Sequence, residues 1–338
     1  MTQLPQRRIG AFAVSAIGLG CMNLSHAYGV PPSEAEGIRL LNHALDSGVT
    51  LLDTAALYGG GRNEALLGKA VMHRRQEFVL ASKCVLDMRD GERVLDGRPE
   101  AIAATLDAAL TRLGTDHIDL YYLHRLDRQV PIEDSVGALV RAKEAGKIRA
   151  LGLSEMSAAT IARAHAVHPI AAVQNEYSPI VRNPEAGVLD ACRARGIALV
   201  AYSPVARGLL AGGVAADAYA PGDIRLTMPR FRDPLLAHNL RAVAAFADLA
   251  AELGLTTAQL SLAWVLSRGD DIVPIPGTTS IAHLDENLAA AQTTLDGETQ
   301  ARIDAIFAPG AIRGPRYAAA AQAQIDTEAL PGEEMAEA

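Results

Sequence analysis

The chain has 338 residues, 49% of them hydrophobic and 21% charged, which is the composition of a globular protein with a large core. Its net charge of −8, without a Lys/Arg cluster, argues against a nucleic-acid surface. The N-terminal "MTQLPQRRIG" lacks an apolar signal core, and no run of about eighteen apolar residues occurs, so a cytoplasmic protein without membrane contact is expected. Cys21, Cys84 and Cys192 are widely spaced and match neither a metal pattern nor a disulfide framework, so no metal site is expected and a reducing compartment fits.

Strand-like and helix-like stretches alternate almost throughout. "RRIGAFAV" reads as a small hairpin ahead of the first barrel strand, "SAIGLG", and would plug the barrel bottom. The helix in "PSEAEGIRLLNHALDSG" has a capping-box pair at Ser33 and Glu36, apolar Ile38, Leu41 and Leu45, and a stop at Gly48. The run from Val49 ends at Asp53, and "NEALLGKAV" is helical. After the strand "EFVLASK", the next helix starts with Pro99, shows Ile102, Leu106, Leu110 and Leu113 on one face, and stops at Gly114. The strand "HIDLYYLH" and a helix in "PIEDSVGALVRAKEAG" follow. The remaining strands are "IRALGLS", "IAAVQNE", "GIALVAYS" and "DIVPIP", with helices near 157–167, 184–195, 239–253 and 257–267.

Eight such units predict an α/β fold, a (β/α)8 TIM barrel, as one domain over residues 1–310 with extra C-terminal helices. The end of the chain, "TEALPGEEMAEA", is acidic and poor in large apolar residues, so segment 311–338 reads as a partly disordered tail, with a short docking helix as the alternative. The irregular connection at 203–236 is long enough to be a lid or substrate loop.

In a barrel of this type the active site forms where the strands end. The runs end on Asp53, Lys83, His124, Ser154, Gln174, Tyr202 and "PGTTS", with Tyr58 in the loop after Asp53. Taken singly, Asp53 is a turn former, Lys83 a solvated strand end, His124 a satisfied core histidine and Tyr58 a loop aromatic. Together they collect a lysine, a histidine and a tyrosine at one rim. At about 4 Å and an effective dielectric near 20, a lysine cation is worth roughly 4 kcal/mol to a phenolate. That is about three pKa units; desolvation offsets part of it, and the direction draws a tyrosine from about 10 towards neutrality. Asp53 then holds Lys83 in place and His124 orients a carbonyl, giving a general acid for carbonyl reduction. No side chain donates hydride readily, so a nicotinamide cofactor is implied. The Rossmann fingerprint is missing, because "GLGCMN" places Asn23 where its third glycine belongs, and the barrel rim must hold the dinucleotide.

In order along residues 8–295, "LLDTAALYGGGRNEALLGKA", "ASK", "DLYYLHR", "GLSE", "AYSP" and "PIPGTTSIAHLDEN" together resemble the aldo-keto reductase family, its bacterial members most. The resemblance implies reduction of aldehydes and ketones to alcohols, with NADPH (or NADH) bound in an extended pose. It makes Tyr58 the general acid, Lys83 its pKa modifier, Asp53 the partner of that lysine, and His124 the carbonyl-orienting residue. It sets Gly20, Cys21, Met22 and Asp53 beside the cofactor, Ser154 and Gln174 on its carboxamide, and Tyr202 against its ring. Ser203, Val205, Arg207, Gly208 and Leu209 would follow the pyrophosphate. Gly277, Thr278, Thr279, Ser280, Glu286 and Asn287 would surround the adenosine phosphate.

Three positions depart from the family's pattern. Glu155 stands where many members carry Asn, Ala206 replaces a common glycine, and 277–283 lacks the usual basic residue. A 2′-phosphate would then rest on hydroxyls and backbone N–H groups at a helix start. His26, Tyr28, Leu57 and Arg125 are the candidate substrate contacts, and the expected partner is a small-molecule carbonyl substrate. The competing readings are a nicotinamide sensor of the same fold and a lyase or isomerase using Lys83 as a Schiff base.

Overall fold

The computed structural model describes residues 4–25, 27–89, 92–212 and 219–336. His26, one of the candidate substrate contacts, therefore lies outside the described residues. The chain opens with a hairpin of β1 (Gln6–Ile9) and β2 (Phe12–Ser15). Next come β3 (Leu19–Gly20), α1 (Glu34–Asp46), β4 (Leu51–Asp53) and α2 (Arg62–Val71). β5 (Val79–Cys84) leads into a second hairpin, β6 (Leu86–Arg89) with β7 (Glu92–Leu95), before α3 (Pro99–Leu113). The alternation resumes with β8 (Ile118–Leu123), α4 (Ile132–Glu144), β9 (Ile148–Ser154) and α5 (Ala158–Val167). β10 (Ala172–Glu176), α6 (Val188–Arg193) and β11 (Ala198–Tyr202) follow. The last units are α7 (Leu235–Glu252), α8 (Thr257–Ser267), β12 (Ile272–Pro274), α9 (Ile281–Ala289), α10 (Gly297–Ile306) and α11 (Ala319–Gln322).

Eight of these strands form one parallel sheet in the order β3-β4-β5-β8-β9-β10-β11-β12. The sheet closes on itself: Gly18 N donates to Pro274 O at 3.0 Å and Gly20 N to Pro276 O at 3.2 Å. The fold is the (β/α)8 barrel expected from the run count. Ile9 and Val14 of the β1–β2 hairpin pack with Leu51, Ala81, Leu120, Val200 and Val273 of the barrel strands, so the hairpin does plug the interior. Local chemistry sets the helix ends. Ser33 and Glu36 form the reciprocal capping box of α1, and Gly114 ends α3 in the left-handed region at φ 67°. Among the described residues no single helix is long and apolar enough to cross a membrane.

Three features differ from the sequence reading. The β6–β7 hairpin was missed, although Asp90-Gly91 between two alternating stretches is a recognised hairpin signal. The 203–236 connection is not structureless and carries 3-10 turns at Ala206–Gly208, Ile224–Thr227 and Pro229–Phe231. The expected solvated tail instead folds back over the barrel. Asp326 N donates to Glu155 O at 3.0 Å, and Ala158 N donates to the Glu328 carboxylate at 2.7 Å. Tyr317 and Ile325 join the main apolar core and these polar anchors add to them, so a few scattered apolar residues, too sparse to form a pattern, dock the segment.

Candidate active site

Parallel register brings the strand ends to one rim, with Asp53 level with Ala81 and Lys83 level with Tyr122. Lys83 is fully buried there. Its ammonium is hydrogen-bonded to the Asp53 carboxylate and donates to Thr54 O at 2.8 Å and to the Tyr58 hydroxyl at 3.2 Å. The second Asp53 oxygen accepts from Gln174 Nε2 at 2.7 Å. Thr54 accordingly has a backbone role, and Asn63 pins its hydroxyl at 2.7 Å. The His124 ring stands edge-on to Tyr58, with centroids 5.9 Å apart. His124 Nδ1 is buried without a partner, leaving Nε2 as the ring atom free towards the cavity.

Burial is the largest influence on all three titrating groups. It pushes the Tyr58 phenol above its ordinary value; Lys83 pulls the other way, but Asp53 offsets part of that pull. The expectation that the lysine outweighs the lost water is thus reversed, because burial is the larger of the two influences. Tyr58 is therefore protonated in this state, the form that can give a proton. Burial would also lower Lys83, but Asp53 and Tyr58 more than reverse it and keep the ammonium charged. His124 is pushed well below its ordinary value by burial, then by Arg125, Lys83 and Arg93, so it is neutral at pH 7.

Tyr58, His124 and Asp53 open onto one cavity of about 690 Å³, with Lys83 buried behind them. Of the residues expected beside the cofactor, Gly20, Met22, Asp53, Ser154, Gln174 and Tyr202 line it. Ser203, Val205, Arg207, Gly208, Gly277, Thr278 and Thr279 do so as well. Cys21, Leu209, Ser280, Glu286 and Asn287 do not: Cys21 and Leu209 point into the core, and Asn287 is buried on α9. Of the candidate substrate contacts, Tyr28, Leu57 and Arg125 line the cavity.

The cavity suits an extended dinucleotide on two observations. Its floor needs glycine: a Cβ on Gly20 would meet Ile275 O at 2.8 Å, and one on Gly277 would meet Asn23 Oδ1 at 2.8 Å. At one end, α9 begins at Ile281 with Ser280 as its N-cap, and the N–H groups of Gly277, Thr278 and Thr279 have no acceptor among the described residues. That end is an anion cradle.

On the opposite side of the rim, Glu155 and Glu176 are buried beside Arg316 and Arg207. Arg316 Nη2 lies 3.0 Å from Glu155 and 3.3 Å from Glu176, and Arg207 lies 3.0 Å from Glu176. Tyr317 donates to Glu176 at 2.7 Å, and Tyr202 and Thr327 donate to Glu155 at 2.7 and 2.9 Å. Burial would raise both carboxyls, yet the arginines hold Glu155 below the usual range and Glu176 at about 2. Glu155 thus faces the tail and not the cavity, which accounts for its departure from the Asn pattern. Arg207, expected along the pyrophosphate, spends its guanidinium on Glu176, Tyr28 and Tyr317. Glu155, Ser203, Ala206 and Arg207 all have left-handed backbones (φ 51°, 51°, 51° and 58°), and the network anchors the side chains of Glu155 and Arg207.

Sequence reasoning missed Met88, Arg93, Tyr317 and Ala321, which also line the cavity; Arg225 lies in the 203–236 connection expected to face the substrate, and His283 in the segment expected at the adenosine phosphate. The Asp-Gly signal would have located Met88 and Arg93. No local signal marks Tyr317.

The model of the Aldo/keto reductase family matches residues 16–308. The NADP(+) aldo-keto reductase yakc of Schizosaccharomyces pombe is 43% identical, over 97% of this chain and 99% of its own. Probable aldo-keto reductase 1 of Glycine max is 40% identical, over 90% of this chain and 89% of its own. Among solved structures, the glycerol dehydrogenase of Gluconobacter oxydans superposes with a TM-score of 0.82 at 26% identity, covering 98% of this chain and 99% of that one. An aldo/keto reductase from Klebsiella pneumoniae, solved with NADP and acetate, gives 0.72 at 28% identity, covering 93% and 99%. With the barrel, the rim and this match over nearly its whole length, the chain belongs to the aldo/keto reductase family.

Proposed function

We propose that this protein is an NADPH-dependent oxidoreductase that reduces aldehydes and ketones to alcohols, with Tyr58 as the proton donor. The observation that carries the reading is the Tyr58 hydroxyl, 3.2 Å from a buried, charged Lys83 and beside a neutral His124 on one cavity wall. The cofactor is NADPH, which when bound supplies hydride to the carbonyl carbon. Tyr58 gives its proton to the carbonyl oxygen, and the Lys83 ammonium stabilises the phenolate that remains. Asp53 keeps Lys83 charged, and Gln174 fixes the second Asp53 oxygen. His124 donates from Nε2 to the carbonyl oxygen and sets its angle to Tyr58. Ser154 holds the carboxamide, Tyr202 covers the ring, and the N–H groups of 277–279 receive the adenosine phosphate.

The test is oxidation of NADPH, and separately of NADH, with benzaldehyde, run beside Tyr58→Phe. Turnover is expected to fall about 1,000-fold in the variant, with NADPH binding by fluorescence retained. Tight cofactor binding without turnover in the wild type would favour a sensor, and absence of cofactor binding would end the oxidoreductase reading.

A further inference from the structure

The chain carries a net charge of −8, yet among the described residues its cavity is walled by four arginines, Arg93, Arg125, Arg207 and Arg225, against one carboxylate, Asp53. Asp53 is already taken by Lys83. Glu176 neutralises Arg207 at 3.0 Å, and Asp223 neutralises Arg225 at 2.7 Å. Among the described residues Arg93 and Arg125 make no ion pair. Arg125 is only 8% exposed. Its Nη1 donates to His124 O at 2.6 Å and to Ser154 Oγ at 3.3 Å. Its Nε is buried without a partner and its Nη2 donates to nothing, although the side chain lines the cavity. Arg93 reaches the same wall from β7 and is lowered by burial and then by Arg125, so two cations crowd one space.

Glu155 acts on the Arg125 guanidinium only through space, with no direct ion pair, so the buried guanidinium keeps unpaired donors that an arriving anion can use. The position indicates which anion. Arg125 directly follows His124, at the reacting end of the cavity, whereas the phosphate cradle lies at the start of α9. Resting on the carbonyl-reductase reading above, we propose that the substrate carries a negatively charged group, a carboxylate or phosphate, away from its carbonyl. Arg125 and Arg93 receive that group, Arg125 through its Nη2 donors.

The experiment compares 4-carboxybenzaldehyde with its neutral methyl ester as substrates for the full-length protein. At low salt kcat/KM favours the acid about tenfold, equivalent to about 1.4 kcal/mol, and the preference shrinks as salt is added. Arg125→Met and Arg93→Met each remove most of it, and Arg125→Lys restores part. The same comparison with a phosphate-bearing aldehyde separates the two anion types. Equal turnover of acid and ester, or a preference untouched by both variants, overturns the inference and leaves the reductase reading standing. Weaker NADPH binding in both variants with the preference intact would assign the arginines to the cofactor, against the inference. If neither aldehyde reacts, the reductase reading falls, and binding decides: the acid must bind the NADP-loaded protein about tenfold more tightly than the ester.

Discussion

The two sides of the barrel rim are both buried and both charged, and they are built differently. On one side Lys83 answers Asp53 and Tyr58, while His124 Nδ1 is left without a partner and the Tyr58 hydroxyl has only the lysine. On the other, Glu155 and Glu176 are met from several directions by Arg316, Arg207, Tyr202, Tyr317 and Thr327. Incomplete satisfaction in a cavity leaves groups free to act on a ligand. Near-complete satisfaction fixes a backbone, here the C-terminal segment whose Tyr317, Ala318 and Ala321 form one cavity wall. The difference separates the group proposed to react from a clasp.

Four substitutions or conditions would break or sharpen that contrast. Lys83→Met should have the largest effect, a loss of turnover of about 1,000-fold and of roughly 3–5 kcal/mol of stability, because Asp53 would be left buried and unpaired. Steady-state kinetics and urea unfolding separate the two losses. Arg316→Met should cost about 3 kcal/mol, since Glu155 loses its cation, while turnover changes far less. A turnover loss equal to that of Lys83→Met would show that the clasp takes part in the chemistry.

Acid should release the clasp. Glu176 ionises at about 2 when folded, below its unfolded value of roughly 4.3. Its contribution is fully present above the unfolded value and is lost as pH falls through that interval to the folded value. Stability measured from pH 5 to pH 2 should drop, and Glu176→Gln should flatten the drop. The smallest effect belongs to Thr327→Val, about 1 kcal/mol, because Thr327 bridges Glu155 at 2.9 Å and Asn175 at 2.6 Å. A neutral result there would place the clasp's strength in the arginines and tyrosines that meet the two carboxylates.

The reacting side was legible because each of its members ends an apolar run or follows one closely. Asp53, Lys83 and His124 close strands, and a parallel barrel converts three strand ends into one rim without long-range information. The clasp was not legible. Glu155 sits 161 residues from Arg316, and Thr327 meets Glu155 across 172 residues. Segment 311–336 offers neither an apolar period nor a charge run to announce where it docks.

By itself the sequence determined the strand and helix order, the barrel, and the set of polar residues brought to its rim, since these depend on local periodicity, caps and register. Tertiary structure decided three further things: that the tail is a cavity wall, that the clasp consumes Arg207 and Glu155, and that the Tyr58 phenol is raised and not lowered. Each of these depends on how much water a group loses and on which distant charge replaces it. Neither quantity exists until the chain has closed around the site.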